Sequence, residues 1–167
     1  MQQHTRHPIL EHLDALVGQW ETEATHRLMP GIVVRGRATF EWLEGGRFLI
    51  WRAHYEHPEI PDSISILGRE DAGYSGRSSG PGGGCSMHYF DSRGVSRVYA
   101  LGAETGVWRF WRDSPGFSQR FTGTLSADGN TITGVTELSQ DGTTWEEDLP
   151  ITYKRVGYGV RAPSRAS

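Results

Sequence analysis

The fold of this chain is decided by residues 117–139, whose sequence is FSQRFTGTLSADGNTITGVTELS. Phe117, Phe121 and Leu125 before Asp128-Gly129-Asn130, and Ile132 and Leu138 after it, fall on one set of alternate positions in each run. This period of two is typical of a strand that buries one face. An Asp-Gly pair between two such runs is a strong signal for a tight hairpin turn. The stretch therefore predicts an antiparallel hairpin with strands over residues 117–126 and 131–139.

The same period of two continues over most of the chain after Gly18. Before it, the apolar residues of segment 8–17 follow helical spacing, with Pro8 suited to the first turn and Gly18 to the stop. Every connection between strands is short except 69–86, so neighbouring strands are expected to pair in sequence order. The predicted strands cover residues 19–28, 32–43, 47–56, 63–68, 87–90, 95–101, 107–112, 117–126, 131–139 and 144–156.

About ten sequential strands are expected to curl and close, because closure removes the unpaired edges of a sheet. The sequence therefore predicts an all-β fold: a single closed antiparallel up-and-down β-barrel of about ten strands with a short N-terminal helix. Residues 8–156 are the predicted barrel domain, and residues 1–7 and 157–167 are predicted flexible tails. A barrel without free edges has no strand-pairing reason to associate, which favours a monomer or a weak homodimer.

Composition and charge narrow the possible partners. The chain has 167 residues, enough for one domain, and a formal net charge of −3, which gives no electrostatic footprint for nucleic acid. No apolar segment has the length of a membrane span or resembles a signal peptide. A single cysteine, Cys85, excludes an intrachain disulfide. We therefore expect a soluble, cytoplasmic protein with no nucleic-acid partner and no membrane insertion.

The segment Leu16-Val17-Gly18-Gln19-Trp20 places a Gly-x-Trp directly after the short helix. This arrangement resembles the opening of the calycins, which include lipocalins, fatty-acid-binding proteins and nitrobindin-like barrels. Segment 46–51, with the sequence GRFLIW, is similar to the third strand of nitrobindin-like barrels. The resemblance implies that Trp20 closes one end of the barrel and that Arg155, from the last strand, covers its ring in a cation–π contact.

Nitrobindin-like proteins bind haem through a histidine near the C-terminus. All seven histidines of this chain precede residue 89, so that ligand position is empty here. Haem therefore remains only an alternative, with His54 or His88 as its ligand, and no cofactor is the leading expectation.

A closed barrel of this strand number leaves an interior wide enough for a ligand. Strand alternation selects apolar walls with a few polar members, which is typical of a ligand pocket. The third strand is ambiguous, because either the face of Trp51 and Tyr55 or the face of His54 points inward. The candidate ligand-binding residues are Trp20, His26, Phe40, Trp42, Trp51, His54, Tyr55, His88, Phe110, Arg112, Phe117, Gln119, Phe121, Trp145, Glu147, Tyr153 and Arg155.

These residues predict binding of a small hydrophobic molecule, such as a fatty-acid-like or polyketide-like carboxylate, with Arg155, Arg112 or Gln119 orienting its polar head. A small cyclase or isomerase is the second hypothesis, with His26, His54, Tyr55 and Glu147 as candidates for proton transfer. A third hypothesis is structural. The polar residues of this candidate set lie at the rims of the barrel, or the protein's own side chains fill its core. No histidine spacing supports a metal site.

The glycine-rich segment 75–86 lacks the Gly-Lys-Ser/Thr of a phosphate-binding loop, and no helix follows it. We interpret it as a flexible insertion that acts as a lid over the barrel mouth. Cys85 follows three glycines there and is expected to be an exposed, inert thiol. In the next hairpin, Asp91 is expected to cap the turn and Gly94 to supply a positive φ, while His88 or Tyr89 contacts the ligand.

Overall fold

The computed structural model describes residues 6–70 and 84–158, and these form a closed antiparallel barrel of ten strands. Each strand pairs with its neighbour in sequence, and the last strand pairs with the first, as predicted. The strands are β1 (Gly18–His26), β2 (Met29–Trp42), β3 (Phe48–Tyr55), β4 (Ser63–Arg69), β5 (Cys85–Asp91), β6 (Ser96–Glu104), β7 (Val107–Arg112), β8 (Ser118–Leu125), β9 (Thr131–Ser139) and β10 (Glu146–Gly157).

The predicted helix is divided into two parts. Helix α1 covers Pro8–His12, and a short 3-10 turn, Leu13–Leu16, leads into β1. Leu10, Leu13 and Leu16 are buried, so this segment covers the end of the barrel from which β1 starts. We call this the helix end, and the opposite end, where β1 turns into β2, the open end.

Trp20 and Arg155 close the helix end, as the calycin resemblance implied. Trp20 is fully buried and its indole Nε1–H donates to the carbonyl of Leu16 at 2.8 Å. The Arg155 guanidinium lies 4.1 Å from the centroid of the Trp20 ring and donates to the carbonyls of Ala15 and Val17 at 2.7 and 2.6 Å. One cation therefore covers the ring and fastens the helical segment to the barrel.

The turn between β1 and β2 lies at Arg27 and Leu28, so the prediction of a turn at Met29-Pro30-Gly31 was wrong. His26 pairs with Met29 and Thr25 pairs with Val33, which leaves residues 30–32 without partners on β1. The Pro-Gly signal therefore marks an irregularity within β2, where proline and a glycine with φ of 81° are tolerated. Leu28, the last residue of the predicted strand 19–28, is exposed in the turn.

Cys85 is buried, so the prediction of an exposed thiol was wrong. It is the first residue of β5, and its Sγ lies 3.5 Å from His7 Nδ1 at the helix end. Burial raises the pKa of the Cys85 thiol, which keeps the sulfur protonated and agrees with the predicted inertness. Residues 71–83, which include most of the glycine-rich segment 75–86, lie outside the described residues, and so does the lid predicted there. Arg69 at the end of β4 pairs with Cys85 at the start of β5, at the helix end.

Candidate functional site

A cluster of aromatic rings fills the middle of the barrel. Phe40 on β2 stacks on Trp51 of β3 with ring centroids 5.4 Å apart, and Trp108 of β7 contacts both rings edge-on. Phe121 on β8 stacks on Phe110 at 4.7 Å. These strands lie on different sides of the barrel, so their rings meet across the lumen and leave it solid at this level.

Two glycines make room for this cluster. Gly123 on β8 and Gly134 on β9 are directly paired, and both occupy inward-facing positions. A Cβ on Gly134 would lie 2.8 Å from the Phe121 ring, closer than side chains pack, so only glycine admits the ring here. The barrel wall therefore carries no side chains at these two positions, and the space is taken by the rings of the cluster.

Above the aromatic cluster, at the open end, lies a cavity of about 290 Å³, which we call the open-end cavity. Its lining is apolar towards the cluster and polar towards solvent. The apolar lining residues are Trp51, Tyr55, Ile60, Pro61, Met87, Phe110 and Leu149, and the polar ones are His26, Glu59, Ser63, Tyr89, Arg93, Arg97, Tyr99, Gln119, Thr136 and Asp148.

Five of the predicted site residues line this cavity: His26, Trp51, Tyr55, Phe110 and Gln119. Burial raises the pKa of Tyr55 to about 12, which agrees with its position inside the barrel. The apolar face of the third strand is therefore the inward one, which resolves the ambiguity left by alternation.

The other predicted residues lie elsewhere. Phe40 and Phe121 belong to the aromatic cluster, and Tyr153 packs edge-on against Trp20 beneath it. The remaining residues divide between the two ends and the outer surface. Trp20, Trp42 and Arg155 lie at the helix end, Phe117 and Arg112 lie at the open end without lining the cavity, and His54, His88, Trp145 and Glu147 lie on the outer surface.

A β-bulge in β10 explains why Glu147 faces outward. Glu147 pairs with Glu137 and Leu149 pairs with Thr136, so Asp148 is an extra residue in the ladder. Directly paired residues point to the same face of a sheet, and Glu137 lies on the outside, where it binds Arg120 at 2.7 Å. The bulge reverses the alternation and brings Asp148 into the cavity in place of Glu147.

Trp145 follows the same reversal. Its ring lies under the Arg120 guanidinium on the outer surface, with 3.9 Å between the guanidinium carbon and the ring centroid. The strand prediction for residues 144–156 placed Trp145 inside because it assumed an unbroken period of two, whereas β10 starts only at Glu146.

The three histidines considered for chemistry are separated by the barrel wall. His54 is exposed and forms an ion pair with Asp62 at 2.9 Å, and His88 is exposed on β5. Only His26 lines the cavity, and its Nδ1 accepts the backbone N–H of Leu28 at 3.1 Å. That contact places the ring proton of neutral His26 on Nε2, which faces Asp148 Oδ1 at 3.6 Å.

These positions do not fit haem held by a histidine inside the barrel. His54 and His88, the proposed ligands, face away from the lumen, and both ring nitrogens of His26 are turned towards protein groups. Within residues 6–70 and 84–158, no group of three or more His, Cys, Asp or Glu side chains is placed to hold a metal ion.

Sequence reasoning missed a polar group formed by Arg97 and Tyr99 of β6 with Gln119 of β8. Tyr99 donates its hydroxyl to Gln119 Oε1 at 2.8 Å, and Arg97 donates to the same oxygen at 3.1 Å. Arg97, Tyr99 and Leu101 occupy alternate positions of one strand, and Leu101 is fully buried. The period of two was therefore the signal that places Arg97 inside the barrel.

Asp91 caps the turn after β5, as predicted, by accepting the backbone N–H of Arg93 and Val95, and its carboxylate is buried. Asp91 accepts hydrogen bonds from the Tyr89 hydroxyl at 2.8 Å and from Arg93 Nη2 at 2.7 Å, and Gly94 has φ of 82°. Hydrogen bonds from the Arg93 guanidinium, followed by that of Tyr89, hold the pKa of Asp91 well below its ordinary value. This network fixes the rim of the cavity, because Tyr89 and Arg93 both line it.

The depressed pKa predicts an acid-dependent stability. The ionised Asp91 stabilises the fold above the pKa of an unfolded aspartate, about 4, and this contribution is lost as the pH falls below that value towards the lower folded pKa. We expect Asp91→Asn to lower the melting temperature at neutral pH and the difference from the parent protein to shrink below about pH 4. Thermal unfolding followed by circular dichroism over a pH series measures this.

Asp113→Asn is the matched control, because Asp113 is exposed in the next loop of the same end. A difference between Asp91→Asn and the parent protein that stays constant down to the lowest pH would contradict this assignment.

The barrel is similar to a protein of known structure. The crystal structure of Rv2717c from M. tuberculosis aligns with a TM-score of 0.57, at 13% sequence identity, over 90% of this chain and 99% of that one. At this identity the likeness concerns the fold alone, and it is consistent with a calycin-like barrel. No protein-family model matches the chain, and no curated protein matches it. Among the described residues, no helix has both the length and the apolar character needed to span a bilayer.

Proposed function

We propose that this protein binds a small molecule with a compact apolar body in the open-end cavity. The observation that carries the proposal is a cavity of about 290 Å³ left above an otherwise solid aromatic cluster. Ligand pockets start at roughly 300 Å³ and combine apolar walls with polar groups; the surface of this cavity is mostly apolar by area, although more of its lining residues are polar than apolar.

The depth of the cavity bears on the size of the ligand. Trp51 and Phe110 line the cavity and also pack in the aromatic cluster, so they bound it on the side of the helix end. A long acyl chain has to pass this level, whereas a flat ring system or a short branched chain does not. We therefore favour a compact ligand over the extended fatty-acid-like one suggested by the calycin resemblance.

Apolar burial supplies the affinity in this proposal. Removing about 200 Å² of apolar surface from water contributes roughly 5 kcal/mol, from which the cost of ordering the ligand is subtracted. The expected dissociation constant therefore lies at about 1 mM or above unless polar contacts add to the affinity.

The test places a larger side chain on the cavity wall, where it occupies the space proposed for the ligand. Ser63 lines the cavity, whereas its neighbour Ile64 points to the outer face of β4. We expect Ser63→Trp to weaken binding of naphthamide, a neutral flat probe, at least about ten-fold by occupying its volume, and Ile64→Trp to leave it unchanged. Isothermal titration calorimetry measures the affinity, and amide NMR shifts locate the probe.

The proposal fails if the parent protein binds neither naphthamide nor naphthoate, its carboxylate analogue, or if Ser63→Trp binds the probe as tightly as the parent does. It also fails if the shifted amides lie on the outer surface rather than around Trp51, Met87 and Phe110.

A further inference from the structure

We propose that the open-end cavity selects ligands that carry a carboxylate, and that Arg97 binds this carboxylate. The proposal rests on the ligand-binding function proposed above and names the class of ligand. It follows from three features of the cavity wall. Among the described residues, an arginine has no carboxylate partner and a glutamine is held with its N–H groups free, and an aromatic surface lies next to them.

Arg97 lines the cavity from β6 and is half-buried. It donates one N–H to Gln119 Oε1 at 3.1 Å, and its guanidinium lies 5.3 Å from the centroid of the Phe117 ring. A guanidinium has five N–H donors, and within the described part of the chain the others have no hydrogen-bond partner. The side chain is thus held in place by two neighbours while most of its donors remain available.

The charge of Arg97 is also uncompensated. No carboxylate among residues 6–70 and 84–158 comes within ion-pair distance of it, although other arginines, such as Arg93 with Asp91 at 2.7 Å, do form such pairs. A half-buried guanidinium loses part of its hydration without regaining it from an anion. An incoming carboxylate restores that interaction, which is the physical basis of the proposed selectivity.

The carboxylates of the lining do not fill this role. The Oδ1 atom of Asp148 lies 3.6 Å from His26 Nε2 and 3.5 Å from Arg27 Nε. Glu59 lies on the exposed rim and is farther from Arg97 than an ion-pair contact. The position facing Arg97 is therefore open to a carboxylate supplied by the ligand.

Gln119 adds a second donor beside Arg97. Arginine only donates hydrogen bonds, so the atom that Arg97 contacts has to be the amide oxygen, and Tyr99 donates to the same oxygen at 2.8 Å. The amide nitrogen of Gln119 consequently points away from both and has no partner among the described residues. A guanidinium with an adjacent N–H donor matches the planar, two-oxygen geometry of a carboxylate.

The apolar part of the cavity indicates what the carboxylate is attached to. Phe110 and Trp51 line the same cavity, and Phe110 lies 5.2 Å from the Tyr99 ring, centroid to centroid. Ring surfaces next to an anion site favour a flat apolar group bonded to the carboxylate. We therefore infer that the ligand class is an aromatic or similarly compact carboxylic acid.

The test compares naphthoate with naphthamide, which share one shape and differ in charge, by isothermal titration calorimetry at low ionic strength. We expect naphthoate to bind the parent protein at least about ten-fold more tightly. The substitution Arg97→Met is expected to weaken naphthoate binding about ten- to a hundred-fold, because hydrogen bonds to a charged group are lost. The affinity for naphthamide is expected to change less than about two-fold.

Arg109→Met is the matched control, because Arg109 lies on the outer face of β7 and pairs with Glu104 at 2.8 Å. It removes the same charge from the protein without touching the cavity, so both probes should bind as to the parent. Arg97→Lys keeps the charge but not the planar fork, and we expect it to lose part of the preference for naphthoate. If circular dichroism shows that Arg97→Met is unfolded, Arg97→Lys still tests whether Arg97 selects the carboxylate.

The two proposals fail in different ways. If naphthamide binds in the cavity but naphthoate binds no more tightly, or if Arg97→Met and Arg97→Lys keep the parent's preference, carboxylate selection by Arg97 is wrong and the binding function stands. If neither probe binds, or neither responds to Ser63→Trp, the binding function itself is wrong.

Discussion

Replacing Arg155 by methionine is expected to lower the free energy of unfolding by about 3 kcal/mol. The change removes the cation above the Trp20 ring, 4.1 Å from its centroid, and leaves the carbonyls of Ala15, Val17 and Gly129 without their donor. The length of the methionine side chain keeps most of the packing, so the loss reports the charge and its hydrogen bonds. Chemical denaturation in urea measures the change.

Lys154→Met is the control for this prediction, because Lys154 precedes Arg155 on β10 and is exposed on the opposite face. It removes one positive charge from the same strand and is expected to change stability by less than about 0.5 kcal/mol. Equal effects of the two substitutions would show that Arg155 acts only through the net charge of the protein, and that the closure of the helix end does not depend on it.

Replacing Trp108 by alanine is expected to cost about 3–5 kcal/mol, the largest effect of any substitution considered. Trp108 is only 1% exposed and contacts the rings of Phe40, Trp51 and Phe121, with centroid distances from 4.9 to 5.5 Å. Removing it opens a void in the middle of the aromatic cluster that the closed barrel cannot collapse to fill. The same denaturation experiment measures this loss.

Two further variants separate ring packing from other causes. Trp108→Phe also removes an indole Nε1–H that has no hydrogen-bond partner in the described part of the chain, so it should cost clearly less than Trp108→Ala. Trp111 is half-buried on the outer face of the same strand, and Trp111→Ala should lower the free energy of unfolding by about 1 kcal/mol. If Trp111→Ala is as damaging as Trp108→Ala, the aromatic cluster is not the main core of the barrel.

Much of the barrel could be predicted because strand alternation is a local property. Gln119 and Phe121 face inward, as the period of two along their strand predicted, whereas alternation left the face of Trp51 open. The contact between Trp20 and Arg155 came from a resemblance rather than from spacing, since the two residues are far apart in sequence and meet only when β1 pairs with β10.

The errors have two physical origins. Local irregularities change the phase of alternation without a recognisable sequence signal, as the bulge at Asp148 did when it moved Glu147 to the outer surface. The other origin is the treatment of Gly-rich and Pro-Gly stretches as loops, which placed Cys85 outside β5 and shifted the first turn to Met29. In both cases the ladder partner decides which residue ends a strand, and that partner is distant in sequence.

The amino-acid sequence by itself determined the fold class, the number and order of the strands and the inward face of most of them, because each follows from the pattern of neighbouring residues. Only the tertiary structure decided how much of the lumen is filled, since the rings of Phe40, Trp51, Trp108, Phe110 and Phe121 meet from opposite walls. It also decided that Arg97 lacks a carboxylate partner among residues 6–70 and 84–158, because ion pairing depends on distances across the closed barrel and not on position along the chain.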